Sequence, residues 1–109
     1  MTIRIVVADD HPLIRKGIKD LLNKTYDMKV IGEAEDGGQA YQMVRDLSPD
    51  VLLLDMNLPV LNGVELTKKI GEENLPLQIL VLSAYKDRGY IEEMINLGAG
   101  GYLIKDEVP

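Results

Sequence analysis

The sequence predicts a single α/β domain built on a parallel β-sheet with helices on both faces. Three observations carry this reading. Short, β-branched apolar runs alternate along the chain with stretches of helical period, in the order β-α-β-α-β-α-β-α-β. Two of the runs, Val51-Leu52-Leu53-Leu54 and Ile79-Leu80-Val81-Leu82, are continuously apolar, as strands covered on both faces must be. The length, 109 residues, suits one hydrophobic core and no more.

Each element has its own local justification. The first strand is expected over Ile3–Ala8. Pro12 suits a first helical position, and Leu13, Ile14, Gly17, Ile18, Leu21 and Leu22 mark the apolar face of the helix that follows. The second strand spans Lys29–Ala34. Gly37-Gly38 reads as a turn into a second helix, whose Ala40, Met43, Val44 and Leu47 recur at i, i+3, i+4 and i+7 until Ser48-Pro49 ends it. After a third strand at Val51–Leu54, a weaker helix carries Val64, Thr67 and Ile70. The fourth strand covers Gln78–Leu82; Ile91, Met94 and Ile95 belong to a fourth helix, with Gly98 as its stop. A fifth strand is expected at Tyr102–Ile104. Asp106 is a good N-cap residue and Glu107 favours a first turn, so a fifth helix is announced but missing when the sequence ends at Pro109.

Composition excludes several function classes. Twelve Lys and Arg against 18 Asp and Glu give a formal net charge of -6 at pH 7. A segment this acidic does not grip a phosphate backbone, which demands a basic footprint. Cysteine is absent, which removes any disulfide framework or thiolate metal site and allows an intracellular home. No apolar run approaches the roughly 18 residues of a membrane span, and no signal-peptide pattern opens the chain.

In doubly wound sheets, ligands sit beyond the carboxyl ends of the strands, near the point where strand order reverses. At those ends the sequence places Asp9-Asp10, Asp55, Ser83-Ala84 and Lys105. Three carboxylates about 6 Å apart repel by roughly 3 kcal/mol per pair at an effective dielectric near 20, so protons or a cation must offset them. The oxygen donors suit a hard ion such as Mg²⁺. A soft-metal site is excluded without Cys or a second His; the single His11 reads as a residue leading into the first helix rather than a ligand. This set suits phosphoryl transfer onto a carboxylate, with Mg²⁺ and Lys105 neutralising the equatorial oxygens. Asp55 is the best nucleophile candidate: it ends the most buried-looking strand and precedes the turn-rich loop Asn57-Leu58-Pro59-Val60-Leu61-Asn62-Gly63. Pro59 and Gly63 fix the path of that loop, leaving the Asn57 carbonyl able to face the metal.

Taken together, these motifs resemble the receiver domain of two-component response regulators. The matching elements are Val6-Val7-Ala8-Asp9-Asp10-His11-Pro12-Leu13, Glu35-Asp36-Gly37, Asp50-Val51-Leu52-Leu53-Leu54-Asp55-Met56-Asn57-Leu58-Pro59, Asn62-Gly63, Leu82-Ser83-Ala84 and Gly101-Tyr102-Leu103-Ile104-Lys105-Asp106. The resemblance implies a flavodoxin-like five-stranded sheet of order 2-1-3-4-5. It makes residues 1–109 a receiver lacking its last helix, with any effector domain outside this chain. It implies Asp55 as phosphoacceptor; Asp10, Asp55 and the Asn57 carbonyl around Mg²⁺, with Asp9 acting largely through water; and Lys105 on the phosphoryl oxygens. Ser83 is implied as the switch hydroxyl and Tyr102 as the aromatic that moves with it. The implied donor is a histidine kinase, or a small acyl or amidophosphate, and the implied location is the cytoplasm. Self-phosphorylation and self-dephosphorylation would be slow at most, so the protein is a switch rather than an enzyme.

The Asp-His-Pro-Leu opening and the Lys105-Asp106 ending resemble the NarL/FixJ (LuxR-type) branch, whose members usually bind DNA through a C-terminal helix-turn-helix. Two departures stand out. Asp106 replaces the proline that often follows the lysine, which disfavours a cis bond there. Without a fifth helix, Ile5 and Val7 are expected to be partly uncovered, inviting a homodimer or exchange of elements between copies. Two other classes are weaker. A phosphohydrolase using an aspartyl-phosphate wants a carboxylate where Asn57 stands, and a pseudo-receiver would not retain Asp9, Asp10, Asp55, Ser83 and Lys105.

Overall fold

A strand's side chains alternate between two faces, whereas a helix offers one stripe, so each strand here must be matched by helices on both sides. The computed structural model describes residues 2–56, 58–83 and 88–104, and at positions 83, 88, 90, 91 and 102–104 it describes the backbone alone. The elements run β1 (Ile3–Ala8), α1 (Pro12–Asn23), β2 (Met28–Ala34), α2 (Gly37–Leu47), β3 (Val51–Asp55), α3 (Gly63–Glu72), β4 (Gln78–Ser83), α4 (Arg88–Asn96) and β5 (Gly101–Ile104). Every strand pairs in parallel, and the sheet order is β2-β1-β3-β4-β5. The order reverses between β1 and β3, which places the ligand crevice outside their carboxyl ends. Strand boundaries differ from the sequence expectation by a residue: β2 starts at Met28, β3 takes in Asp55, β4 takes in Ser83 and β5 starts at Gly101.

Alternation along the strands divides the core in two. Val6, Ala8, Leu52, Leu54, Ile79 and Val81 face Ala40 and Val44 of α2, Leu66 and Ile70 of α3, and Met94 of α4. Ile5, Val7, Leu53 and Leu82 face the other way, onto Ile18 of α1 with Ile14 and Leu22 beside it. The expectation that Ile5 and Val7 would be partly uncovered is therefore corrected: they are only 4% and 0% exposed. Helix α1 closes over them.

Helix ends follow local chemistry. Pro12 opens α1, as expected. The Asp36 carboxylate accepts from the Gln39 amide to cap α2, so Gly37-Gly38 forms the first turn of that helix rather than a separate turn. Ser48, in the left-handed region at φ 47°, ends α2 ahead of Pro49. Helix α3 owes its definition to a reciprocal capping box between Asn62 and Glu65. Gly98, at φ 107°, follows the end of α4. Where α2 and α3 meet, the Tyr41 hydroxyl donates to the Glu73 carboxylate and accepts from Arg45. That hydrogen bond, with the nearby Glu73 charge, holds the Arg45 pKa above its ordinary value. Among the described residues, no helix is long and apolar enough to cross a membrane. The expected fifth helix at Asp106 and Glu107, and the Lys105–Asp106 bond, lie outside the described residues.

The core assignment is directly testable. Leu54 is fully buried, and Leu54→Ala is expected to lower the unfolding free energy in urea by about 2–5 kcal/mol. Leu13, 85% exposed on the first turn of α1, is the control: Leu13→Ala should stay within about 0.5 kcal/mol of the parent.

Candidate functional site

The two central strands deliver the acidic residues. β1 and β3 pair in register from Ile5↔Val51 to Ala8↔Leu54, so Asp9 and Asp55, each next along its strand, emerge side by side. Carboxylate oxygens of Asp9, Asp10 and Asp55 and a ring nitrogen of His11 all lie within 4.8 Å of one another. Asp9 is 0% exposed and Asp55 2%, while Asp10 and His11 are exposed. At that spacing a carboxylate pair repels by about 3.5 kcal/mol at an effective dielectric near 20, somewhat more than the sequence suggested.

Asp9 is held through its main chain and its side chain. Its amide donates to the Ala34 carbonyl at the end of β2 (3.0 Å). Its carbonyl accepts from Arg15 Nη1 of α1 (2.7 Å). Its Oδ1 accepts from the His11 amide at 2.8 Å and lies 2.9 Å from His11 Nδ1. The same ring nitrogen is 3.0 Å from Asp10 Oδ1. His11 is the N-cap residue of α1, as a residue leading into the helix should be, yet its imidazole also joins the acidic cluster. Sequence reasoning missed that contact and did not single out Arg15. The available signals were the adjacency of His11 to Asp9-Asp10 and the position of Arg15 within the first turns of α1.

The loop after β3 is built on close approaches. The Gly37 amide donates to the Pro59 carbonyl (3.1 Å), and a Cβ at Gly37 would lie 1.7 Å from the Leu61 carbonyl oxygen. A Cβ at Gly63 would lie 2.8 Å from the Met56 Cα. The Leu61 amide donates back to the Pro59 carbonyl (2.8 Å) across Val60, whose φ is 72°. This is a γ-turn with a left-handed centre, a rare and strained form, occupied by a β-branched residue that is 82% exposed. Pro59 and Gly63 do shape the loop, as the sequence indicated, but Gly37 from α2 and the turn at Val60 share that work.

The other expected site residues are placed less completely. Ser83 is the last residue of β4, its backbone paired with Ile104 of β5, at the same rim as Asp55, whose β4 partner is Leu82. Tyr102 pairs with Val81 in β5. The side chains of Ser83 and Tyr102, and all of Asn57, Ala84 and Lys105, lie outside the described residues.

The described donors fit a hard divalent cation. Three carboxylates from two adjacent strand ends converge, two of them buried, and every oxygen donor is of the class Mg²⁺ prefers. A divalent ion bound there would offset the mutual repulsion of the three carboxylates.

Comparison with known proteins is consistent along nearly the whole chain. Residues 5–109 match the model of the response regulator receiver domain family. Among curated proteins, the chain is 39% identical to the transcriptional regulatory protein DegU of Brevibacillus brevis, over 95% of this chain and 44% of that protein. It is likewise 39% identical to the nitrate/nitrite response regulator protein NarL of Escherichia coli (strain K12), over 96% of this chain and 49% of that protein. The chain thus spans about half the length of the curated relatives it matches. The solved signal receiver domain of the NarL response regulator from Mycobacterium tuberculosis superposes with a TM-score of 0.93 at 35% identity, covering 96% of this chain and 85% of that one.

Two substitutions probe the loop. Val60→Gly releases about 1–3 kcal/mol of backbone strain and costs about 0.4–1 kcal/mol of unfolded-state entropy, so it should raise the unfolding free energy in urea by a net of up to about 2.5 kcal/mol. Gly37→Ala should act oppositely: with the Leu61 carbonyl in the way, the loop must shift, at a cost of about 1–3 kcal/mol in the same measurement.

Proposed function

The chain belongs to the response regulator receiver domain family, and from that premise we propose that Asp55 accepts a phosphoryl group from a histidine kinase. Receiver domains are signalling switches rather than enzymes that turn over a substrate. The observation that carries the proposal is the convergence of Asp9, Asp10 and Asp55 at the reversal point of the sheet, with Asp55 buried at the end of a central strand.

In the proposed reaction a carboxylate oxygen of Asp55 attacks the phosphorus of a phosphohistidine. The O–P bond forms as the P–N bond breaks, and the electron pair of that bond leaves with the imidazole nitrogen. Burial at a strand end restricts the carboxylate's movement, and positioning supplies much of the rate in phosphoryl transfer. Asp9, Asp10, Asp55 and the Asn57 carbonyl are the residues proposed to hold Mg²⁺. Bound there, the ion would neutralise charge developing on the phosphoryl oxygens. Lys105 is proposed to contact those oxygens directly. Ser83, placed at the same rim by β4, is proposed to turn its hydroxyl toward the phosphoryl group, and Tyr102 on the neighbouring strand to move with it. Any transfer from a small acyl phosphate, and any self-dephosphorylation, would be slow.

The wider role follows from the relatives. Curated homologues of the NarL and DegU type are transcriptional or nitrate/nitrite regulators about twice as long as the matched segment. We infer that the switch controls a DNA-binding module on the C-terminal side of residue 109, in a cytoplasmic protein. The strongly acidic receiver would not contact DNA itself.

Incubation with Mg²⁺ and acetyl phosphate is expected to add one phosphoryl group, read by intact-mass spectrometry. Asp55→Asn should abolish the addition, and chelation of Mg²⁺ should do the same. Uptake undiminished in Asp55→Asn would reassign the acceptor. Asp10→Asn is expected to weaken Mg²⁺ binding about tenfold or more while leaving the fold intact.

A further inference from the structure

Among the described residues not assigned above, Arg15 is a charged side chain that is largely withdrawn from solvent and reaches the site. Arg15, in the first turns of α1, is 12% exposed. Its Nη1 donates to the Asp9 carbonyl at 2.7 Å. On the other side of the guanidinium, Nε lies 3.8 Å from Glu33 Oε1 of β2, and Nη2 lies 3.6 Å from Glu35 Oε1 in the segment before α2. Lys19, one turn further along α1, holds the second oxygen of Glu33 at 3.2 Å.

The Asp9 carbonyl lies just beyond the β1–β3 ladder, which ends at the Ala8↔Leu54 pair. Arg15 is the side chain that takes it up. The Asp9 amide is meanwhile bound to Ala34, so the peptide planes on both sides of Asp9 are fixed, and with them the directions of the Asp9 and Asp10 carboxylates. The extended guanidinium hydrogen-bonds the carbonyl on one side while its delocalised charge lies within ion-pair range of two carboxylates on the other; an ammonium is a compact point charge and cannot span both.

We propose that Arg15 is a positioning residue for the divalent-cation site, clamping the β1–α1 turn from helix α1 and from the end of β2. The proposal rests on the reading of Asp9, Asp10 and Asp55 as the Mg²⁺ site. Two roles predict opposite signs. If Arg15 acted only as a nearby positive charge, its removal would relieve repulsion of the cation and tighten Mg²⁺ binding. As a clamp, its removal loosens the carboxylates and weakens binding, by about tenfold on the scale of other outer-shell supports of metal ligands.

The test is calorimetric titration of the chain with MgCl₂ for the parent, Arg15→Gln and Arg15→Lys, with urea unfolding of each. The Asp10 amide resonance, which reports the hydrogen bond to the Asp9 carbonyl on the same peptide, is followed by NMR. Expected results are a roughly tenfold weaker Mg²⁺ dissociation constant for Arg15→Gln, an intermediate loss for Arg15→Lys, and a shifted Asp10 amide in both. Binding by folded Arg15→Gln as tight as the parent's, or tighter, overturns the proposal. Should Arg15→Gln fail to fold, Arg15→Lys decides: it keeps the charge, so unchanged binding again overturns the clamp. Absence of Mg²⁺ binding in the parent would instead defeat the cation-site reading, and an unmoved Asp10 amide would then still defeat the clamp.

Discussion

Two buried carboxylates, Asp9 and Asp55, stand next to each other at the ends of the two central strands, and much of the surrounding architecture serves to keep them there. Their repulsion is of the order of a few kcal/mol, a sizeable share of the ~5–15 kcal/mol that holds a domain of this size together. The strands behind them are apolar on both faces and close-packed, so the repulsion cannot be relieved by letting β1 and β3 slide or separate. The β1–β3 pairing thus acts as a rigid platform that holds a pre-charged site ready for positive charge. Such a site stays in working geometry before any ligand arrives, which is where electrostatic catalysis gains most.

Around that platform the supporting devices come from distant parts of the chain and use different physics. Arg15 and His11 act by hydrogen bonding from the start of α1. Gly37 acts by absence, since any side chain there would collide with the Leu61 carbonyl. Val60 contributes a strained turn on the surface beside the site, and Asn62 with Glu65 secures the helix that follows. The strained Val60 lies in an exposed loop five residues from Asp55, while Asp55 closes a regular strand and Asp9 directly follows another. A local rearrangement near Asp55 therefore need not disturb the core, which is the property a switch requires.

The net charge of -6 also takes on a narrower meaning. Part of it is concentrated at one rim, where it forms the chemistry of the site rather than a general solubility feature. The same acidity that disfavours a phosphate backbone favours a cation at the ends of β1 and β3.

Element order, helix limits and the identity of the three aspartates were legible in the residues because they rest on local facts. Apolar period, capping chemistry and a carboxylate at the end of an apolar run depend on neighbours a few positions away. The resemblance of Asp9-Asp10, Asp55, Ser83 and Lys105 to a receiver then pointed to their joint role. What could not be read locally came from pairings between remote segments. The β1–β3 register brought Asp9 against Asp55. The seating of α1 covered Ile5 and Val7 and aimed Arg15 at the Asp9 carbonyl. The approach of the β3–α3 loop to α2 made Gly37 indispensable. Apart from Arg15 and Asp9, which are six positions apart, these contacts join segments well separated along the chain, and no local period encodes which of several equally apolar faces will meet; only closure of the whole core selects among them.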